Sequence, residues 1–292
     1  MTIPRVGILS PGDMGHVVAR VLKDHGLTVV TCLKDRSNRT KALTQKVGIR
    51  MVPDYKQLVT EADMILSILV PAQATNAANT VFNALRSTDR KIIYVDCNAI
   101  SPSTVKSIEN TITKAGSTFI DAGIIGPPPL KQGTTIFYAS GSAAHQFKIL
   151  DKYGLNIRLI GTQTGQASGF KMTYAALTKG TMAIAIELLI AAKRMNIYHP
   201  LINELKHSQP ERYLSIKKGL PFMPPKANRW IGEMEEIANT FENIGLTPKI
   251  FLGAADIYRF VGESELAKET PENMDNNRTF DTVINLLSQH KK

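Results

Sequence analysis

The stretch "RVGILSPGDMGHVVARVL", residues 5–22, decides the reading of the whole chain. A short apolar run, Val6 to Leu9, passes through a turn of small residues into a segment whose apolar residues recur with helical period. That is the pattern of a buried strand feeding a helix. Ser10, Gly12 and Gly15 occupy the three positions of a G-x-G-x-x-G turn, with serine in place of the first glycine. In such a turn the first residue makes the tight bend, the second lets a pyrophosphate approach the backbone, and the third lets helix and strand pack closely. Serine is small enough for the bend if its torsions tolerate a side chain. The helix that starts near Asp13 offers free N–H groups and a positive dipole end to phosphate. Ser10, Pro11, Gly12, Asp13, Met14 and Gly15 are therefore the candidate pyrophosphate contacts, and a plain structural turn is the alternative.

Working outward, the second apolar run "LTVVTCL" lies at the distance expected for the strand that reads the adenosine ribose. An enzyme preferring NAD would end it with Asp or Glu. Here Leu33 stands at that position, followed by Lys34, Asp35, Arg36 and Ser37. A guanidinium fork and a hydroxyl suit a 2′-phosphate, so Arg36 and Ser37 favour NADP(H).

Apolar runs continue to alternate with helix-like segments: "ADMILSILV", "KIIYVDCNA", "STFIDAGII", "TTIFYASG". This order predicts a doubly wound, mostly parallel sheet. After Gly165 the strands stop and the rest reads as helices, the first and longest from Ser168 to about Met195. Trp230, Met234, Ile237, Phe241 and Ile244 mark an apolar stripe on a later one. The expected fold is α/β, a Rossmann-type domain over residues 1–163 and an all-α domain over 164–292.

The chain has 292 residues, 43% hydrophobic and 21% charged, enough for two globular cores. Its net charge of +10 comes from scattered Lys and Arg, with no basic run or aromatic-rich motif, which argues against nucleic-acid recognition and suits an anionic small molecule. "TMAIAIELLIAA" contains Glu187 and, taken by itself, is shorter than the roughly 20 residues of a membrane span. Cys32 and Cys97 form no metal-binding pattern, so no metal is expected. With strand-like sequence from the first residues, the reading is a cytoplasmic protein.

Four stretches together resemble the β-hydroxyacid dehydrogenase family, which includes 6-phosphogluconate dehydrogenase and the related imine reductases: "GILSPGDMG", "SILVPAQA", "DCNAISPST" and "GQASGFKMTYAALTKG". "PGDMG" and "RWIGEMEEIANTFENIGL" further resemble a subgroup of short members with a compact helical C-terminal domain. The resemblance implies that Leu69, Val70, Pro71 and Asn98 surround the nicotinamide. It aligns Asp121, Gly123, Ile125 and Gly126 with the substrate-binding segment D-x-x-V-S-G-G, whose serine and second glycine are here Ile125 and Pro127. In the frame of the family's G-x-G-x-x-x-K this chain has Gly165, Ala167 and Lys171, which makes Lys171 the expected general acid/base. Ala175 replaces the family's substrate-holding asparagine, and Tyr174 or Thr178 stands near enough in sequence to substitute for it. Arg229 is a candidate cap of the cleft.

The expected function is an NADPH-dependent oxidoreductase that moves hydride to or from a carbonyl or hydroxyl carbon of a small acid, working as a homodimer. Two alternatives stay open at this point. One is imine reduction, favoured by the less polar segment and disfavoured because imine reductases usually put Asp or Tyr where Lys171 stands. The other is a non-catalytic NADP-binding protein.

Overall fold

A computed structural model describes residues 4–290. The elements run β1 (Val6–Leu9), α1 (Gly15–Asp24), β2 (Val29–Cys32), α2 (Asn38–Val47), β3 (Arg50–Val52), α3 (Tyr55–Glu61), β4 (Met64–Ser67), α4 (Ala74–Thr88), β5 (Ile93–Asp96), α5 (Pro102–Thr113), β6 (Thr118–Ile125), β7 (Ile136–Ser140), α6 (Ala144–Phe147) and β8 (Ile157–Gly161). Then come α7 (Gln166–Arg194), α8 (Tyr198–Ser208), α9 (Pro210–Gly219), α10 (Ala227–Glu242), α11 (Lys249–Gly262) and α12 (Phe280–Gln289).

The eight strands form one sheet in the order β3-β2-β1-β4-β5-β6-β7-β8. Strands β1 to β6 are parallel, and β7 and β8 run against them. Alternate residues feed opposite faces, as the pleat requires. Ile8, Met64 and Leu66 join one core with Val18 and Leu22 of α1, while Leu9 and Ile65 join the other with Leu58 of α3 and Val81 of α4. Burial on both faces explains why the strands read as continuous apolar runs rather than as alternation.

The strand order reverses between β1 and β4, and open α/β sheets bind ligands beyond the carboxyl ends of the strands at such a switch point. Leu9 pairs with Ser67, Ser67 with Asp96, Asp96 with Asp121, and Asp121 with Ser140. A row of four buried polar residues thus crosses the sheet just below that edge.

The chain divides into two compact units, up to Met172 and from Thr173, and the division falls inside α7. The first turns of that helix, with Lys171, therefore belong to the sheet unit. α7 is 29 residues long, and its most apolar 18 residues have a mean hydropathy of 1.6, sufficient by length and composition to cross a bilayer. Half of that window is buried within the protein. In the helical unit the predicted stripe lies on α10, where Met234 and Ile237 are buried, Trp230 packs edge-on against Tyr258 of α11, and Phe241 packs against Phe251. Ile244 departs from the stripe: α10 ends at Glu242 and Ile244 is exposed.

Candidate active site

The turn after β1 resolves the question posed by Ser10. Its φ is +57°, the left-handed conformation that the first glycine would supply, and Gly12 N donates to its carbonyl at 2.7 Å. A non-glycine residue adopts that conformation at a cost of about 1–2 kcal/mol. Gly15 needs to be glycine for the protein's own sake, since a methyl group there would lie 3.0 Å from the Ser10 carbonyl oxygen and 3.4 Å from Ile8. Gly12 is different. A methyl group at Gly12 would meet no protein atom nearer than 3.9 Å, so glycine there keeps open space in front of the backbone.

Helix α1 begins with no side-chain cap and no acidic residue in its first turn. An uncapped N-terminus is what a pyrophosphate would complete. Pro11 is buried beneath the turn, and Met14 packs against the core. Asp13, whose charge would repel a phosphate, is paired with Arg39 of α2. The local sequence around Asp13 gives no sign of this neutralising partner, which comes from another helix.

After β2 the chain makes a tight turn in which Arg36 N donates to Leu33 O at 3.1 Å, and Asp35 takes a φ of +59°. Arg36 Nη2 donates to the Tyr55 hydroxyl at 3.2 Å, while its Nε is buried without a partner. An orphaned guanidinium donor is costly unless an anion meets it. Ser37 also serves the protein's own backbone, since its Oγ accepts from Thr40 N at 3.2 Å and caps α2. Its Oγ also lies 3.0 Å from Thr40 Oγ1, either of which can donate; with Thr40 as the donor, the Ser37 hydroxyl proton could meet a phosphate. These features fit a phosphorylated dinucleotide: an open backbone cradle, an uncapped helix and a held arginine with an unspent N–H.

After β4, Leu69 is half-buried, Val70 is 44% exposed and Pro71 opens a short 3₁₀ turn. Asn98 is 2% exposed and fully engaged. Its Nδ2 donates to Ser67 Oγ at 2.9 Å and Asp96 Oδ2 at 3.0 Å, and its Oδ1 accepts from Leu69 N at 2.6 Å. Asn98 therefore shapes the 69–71 segment from behind and presents almost no surface of its own.

Asp121 is placed differently from the substrate contact expected of it. It is 0% exposed and accepts from Ser140 Oγ, Gly165 N, Ser168 N and Ser168 Oγ at 2.6–3.1 Å. The carboxylate docks the first turn of α7 onto β6, where the helix dipole favours a negative charge. Burial pushes its carboxyl up, and the Ser168, Gly165 and Ser140 donors oppose the shift.

Gly123 makes the next contact possible. A methyl group there would lie 2.8 Å from Lys171 Cβ and 3.0 Å from the Ala167 carbonyl oxygen, so only glycine lets β6 and α7 approach this closely. Lys171 Nζ then donates to Ile124 O at 2.6 Å. Ile125 is half-buried at the end of β6. Gly126 turns the chain away with a φ of +118°, its Cα facing the Thr134 carbonyl too closely for any side chain.

In the helical unit Tyr174 is exposed, and Thr178 Oγ1 donates to the Tyr174 carbonyl at 3.3 Å. Ala175 is 1% exposed and offers no surface to a ligand, a correction to its expected place in the substrate pocket. Arg229 pairs with Glu233 at 3.3 Å, and Glu233, itself buried, also pairs with Lys179. Among the described residues no group of His, Cys, Asp and Glu could hold a metal ion.

Comparison with known proteins agrees with this geometry. Residues 5–161 match the NAD binding domain of 6-phosphogluconate dehydrogenase, and residues 192–261 match a domain of unknown function, DUF1932. An uncharacterized 28.5 kDa protein of Methanothermus fervidus is 31% identical over 214 residues, 73% of this chain and 81% of that one. A solved conserved protein of unknown function, described as similar to 3-hydroxyacid dehydrogenases, superposes with a TM-score of 0.65 at 29% identity, covering 88% of this chain and 97% of its own. The Mycobacterium tuberculosis 3-hydroxyisobutyrate dehydrogenase, solved with L-serine, has a TM-score of 0.70 over 98% of this chain and 99% of its own; at 15% identity that likeness is one of fold. The glycine-bearing turn after β1, the lysine held at the carboxyl end of β6 and a family match over residues 5–161 lead to one conclusion: the chain belongs to the β-hydroxyacid dehydrogenase-like family, its residues 5–161 matching the NAD binding domain of 6-phosphogluconate dehydrogenase.

Proposed function

We propose that this protein is an NADPH-dependent oxidoreductase acting on a carbonyl or hydroxyl carbon of a small acid, with Lys171 as its general acid/base. The observation that carries the reading is the position of Lys171. Its amine donates to Ile124 O at the carboxyl end of β6, and Gly123 and Asp121 lock the helix turn that bears it. A lysine held at that edge can give a proton to the oxygen of a substrate being reduced, or take one from a hydroxyl being oxidised. The Ile124 carbonyl holds the amine in readiness for either.

The Gly12 backbone and the α1 N-terminus would hold the pyrophosphate, Arg36 and the Ser37 hydroxyl the 2′-phosphate, and Leu69 to Pro71 the nicotinamide. When bound, the cofactor supplies the hydride chemistry. The unspent Arg36 Nε favours NADP(H) over NAD(H). Leu177, Ile184 and Met195 are exposed apolar residues on or just beyond α7, and they support the expected homodimer, which light scattering at micromolar concentration tests.

NADPH oxidation across panels of keto acids and cyclic imines tests the activity. Turnover of a keto acid, abolished in Lys171→Ala while NADPH still binds, is the expected result. Turnover confined to imines, or a Lys171→Ala variant as active as the parent, overturns the reading, as does tight NADPH binding with no turnover on any panel.

A further inference from the structure

Asp96 is a buried carboxylate with no part in the chemistry above. It is 1% exposed and stands in register with Asp121 on the neighbouring strand. The two acids are solvated unequally. Asp121 collects its donors from Ser140, Gly165 and Ser168, whereas Asp96, among the described residues, accepts only from Asn98: the backbone N–H on Oδ1 at 2.9 Å and Nδ2 on Oδ2 at 3.0 Å.

That pairing fixes which way Asn98 points. With its NH₂ committed to Asp96 and to Ser67 Oγ, its carbonyl oxygen is left facing Leu69 N. The opposite orientation would bring an NH₂ against the Leu69 N–H, donor against donor. We propose that Asp96 is a positioning residue for the cofactor site: ionised, it orients Asn98, and Asn98 clamps the backbone at Leu69 so that residues 69–71 are shaped to receive the nicotinamide. The inference rests on the reading of that segment given under the proposed function.

The titratable groups that face Asp96 are Asp121 on β6 and Tyr94 and Cys97 beside it in sequence. Burial pushes the Tyr94 hydroxyl and the Cys97 thiol far up, so both stay neutral near pH 7. Burial, with a smaller push from Asp121 and opposed by the two Asn98 bonds, brings Asp96 up to about 7. Protonated, the carboxyl turns a donor toward the Asn98 amide and the clamp loosens.

The test is the Kd of NADPH and of NADH, by cofactor fluorescence on the whole protein from pH 5.5 to 8.5. NADH lacks the 2′-phosphate, so a trend shared by both cofactors does not come from that group. For a single proton with a midpoint near 7, affinity is expected to fall roughly tenfold from pH 8 to pH 6. Asp96→Asn should bind both cofactors weakly with a flat profile, and Asn98→Ala should do the same, so the wild-type curve and Asn98→Ala decide the matter if Asp96→Asn does not fold. No binding of either cofactor at any pH overturns the underlying cofactor reading. Binding of equal strength at pH 6 and pH 8, or an Asp96→Asn profile that tracks the wild type, overturns the positioning role and leaves the cofactor site standing.

Discussion

Gly123→Ala should injure catalysis without touching the cofactor site. Gly123 has no positive φ, so the penalty is one of space alone. The new methyl group would sit 2.8 Å from Lys171 Cβ and 3.0 Å from the Ala167 carbonyl oxygen, against 3.4 Å or more for an ordinary contact. Neither neighbour is the free end of a flexible chain, so β6 and the first turn of α7 must separate by about half an ångström. The three hydrogen bonds that Asp121 accepts from Gly165 N, Ser168 N and Ser168 Oγ resist that movement. Overpacking of this kind costs about 1–3 kcal/mol of stability. A shift of half an ångström at Lys171 should lower kcat by about tenfold, since misplacement by about 1 Å can cost 10²-fold. The assay is urea unfolding together with kcat and NADPH Kd, using a keto acid turned over by the wild type. The expected pattern is lowered stability, lowered kcat and unchanged NADPH affinity. A variant with wild-type kcat and midpoint would refute the close packing of β6 on α7.

Arg36→Ala should weaken NADPH binding by roughly 10–100-fold, the worth of a charged hydrogen bond of about 1.5–3 kcal/mol, and leave NADH binding unchanged; calorimetry with both cofactors reads the difference. Asp121→Ala strands the Gly165 and Ser168 N–H groups and two hydroxyls, and should destabilise the fold by about 3–5 kcal/mol in urea unfolding. Asp96 carries a stability signature whose sign differs from that of a salt-bridged carboxylate. Its folded pKa is raised from 3.8 to about 7, so the folded state holds the proton more tightly than the unfolded chain. The contribution is most favourable below the unfolded value and is lost as pH rises from about 4 to 7. The stability of Asp96→Asn relative to wild type should therefore improve across that window by up to a few kcal/mol, and equal pH dependence of the two proteins would contradict the shift.

Much of the fold was legible because periodicity reports burial directly. Six of the eight strands showed themselves as apolar runs, and α7 and the α10 stripe as helical patterns; the edge strands β3 and β8 carry mostly exposed or half-buried residues and gave no such run. Ser10 was legible as a site but not as a solution, because only the backbone reveals that serine takes a left-handed φ there. The side chains that moved away from their expected roles did so for one kind of reason. Asp121 and Ser37 are absorbed by helix N-termini, which offer unpaired N–H groups that a string of residues does not display. Ala175 is absorbed by packing. Asp96, Ser140 and the pairing of Asp13 with Arg39 were invisible because they depend on register between strands and on contacts between distant segments. The D-x-N spacing in "DCNAISPST" was the one local hint of the Asp96–Asn98 pair.

The central claim is that a dinucleotide rests on the backbone of the turn after β1, and Gly12 isolates it. A side chain there meets no protein atom within 3.9 Å at its Cβ, so Gly12→Val should fold as the wild type does. Calorimetric titration of NADPH into both proteins, with thermal unfolding as the control, is the most direct measurement. Saturable binding to the wild type, and its loss in a Gly12→Val variant of unchanged melting temperature, is the expected result. A wild type that takes up no NADPH, or a variant that binds it equally well, would contradict the claim.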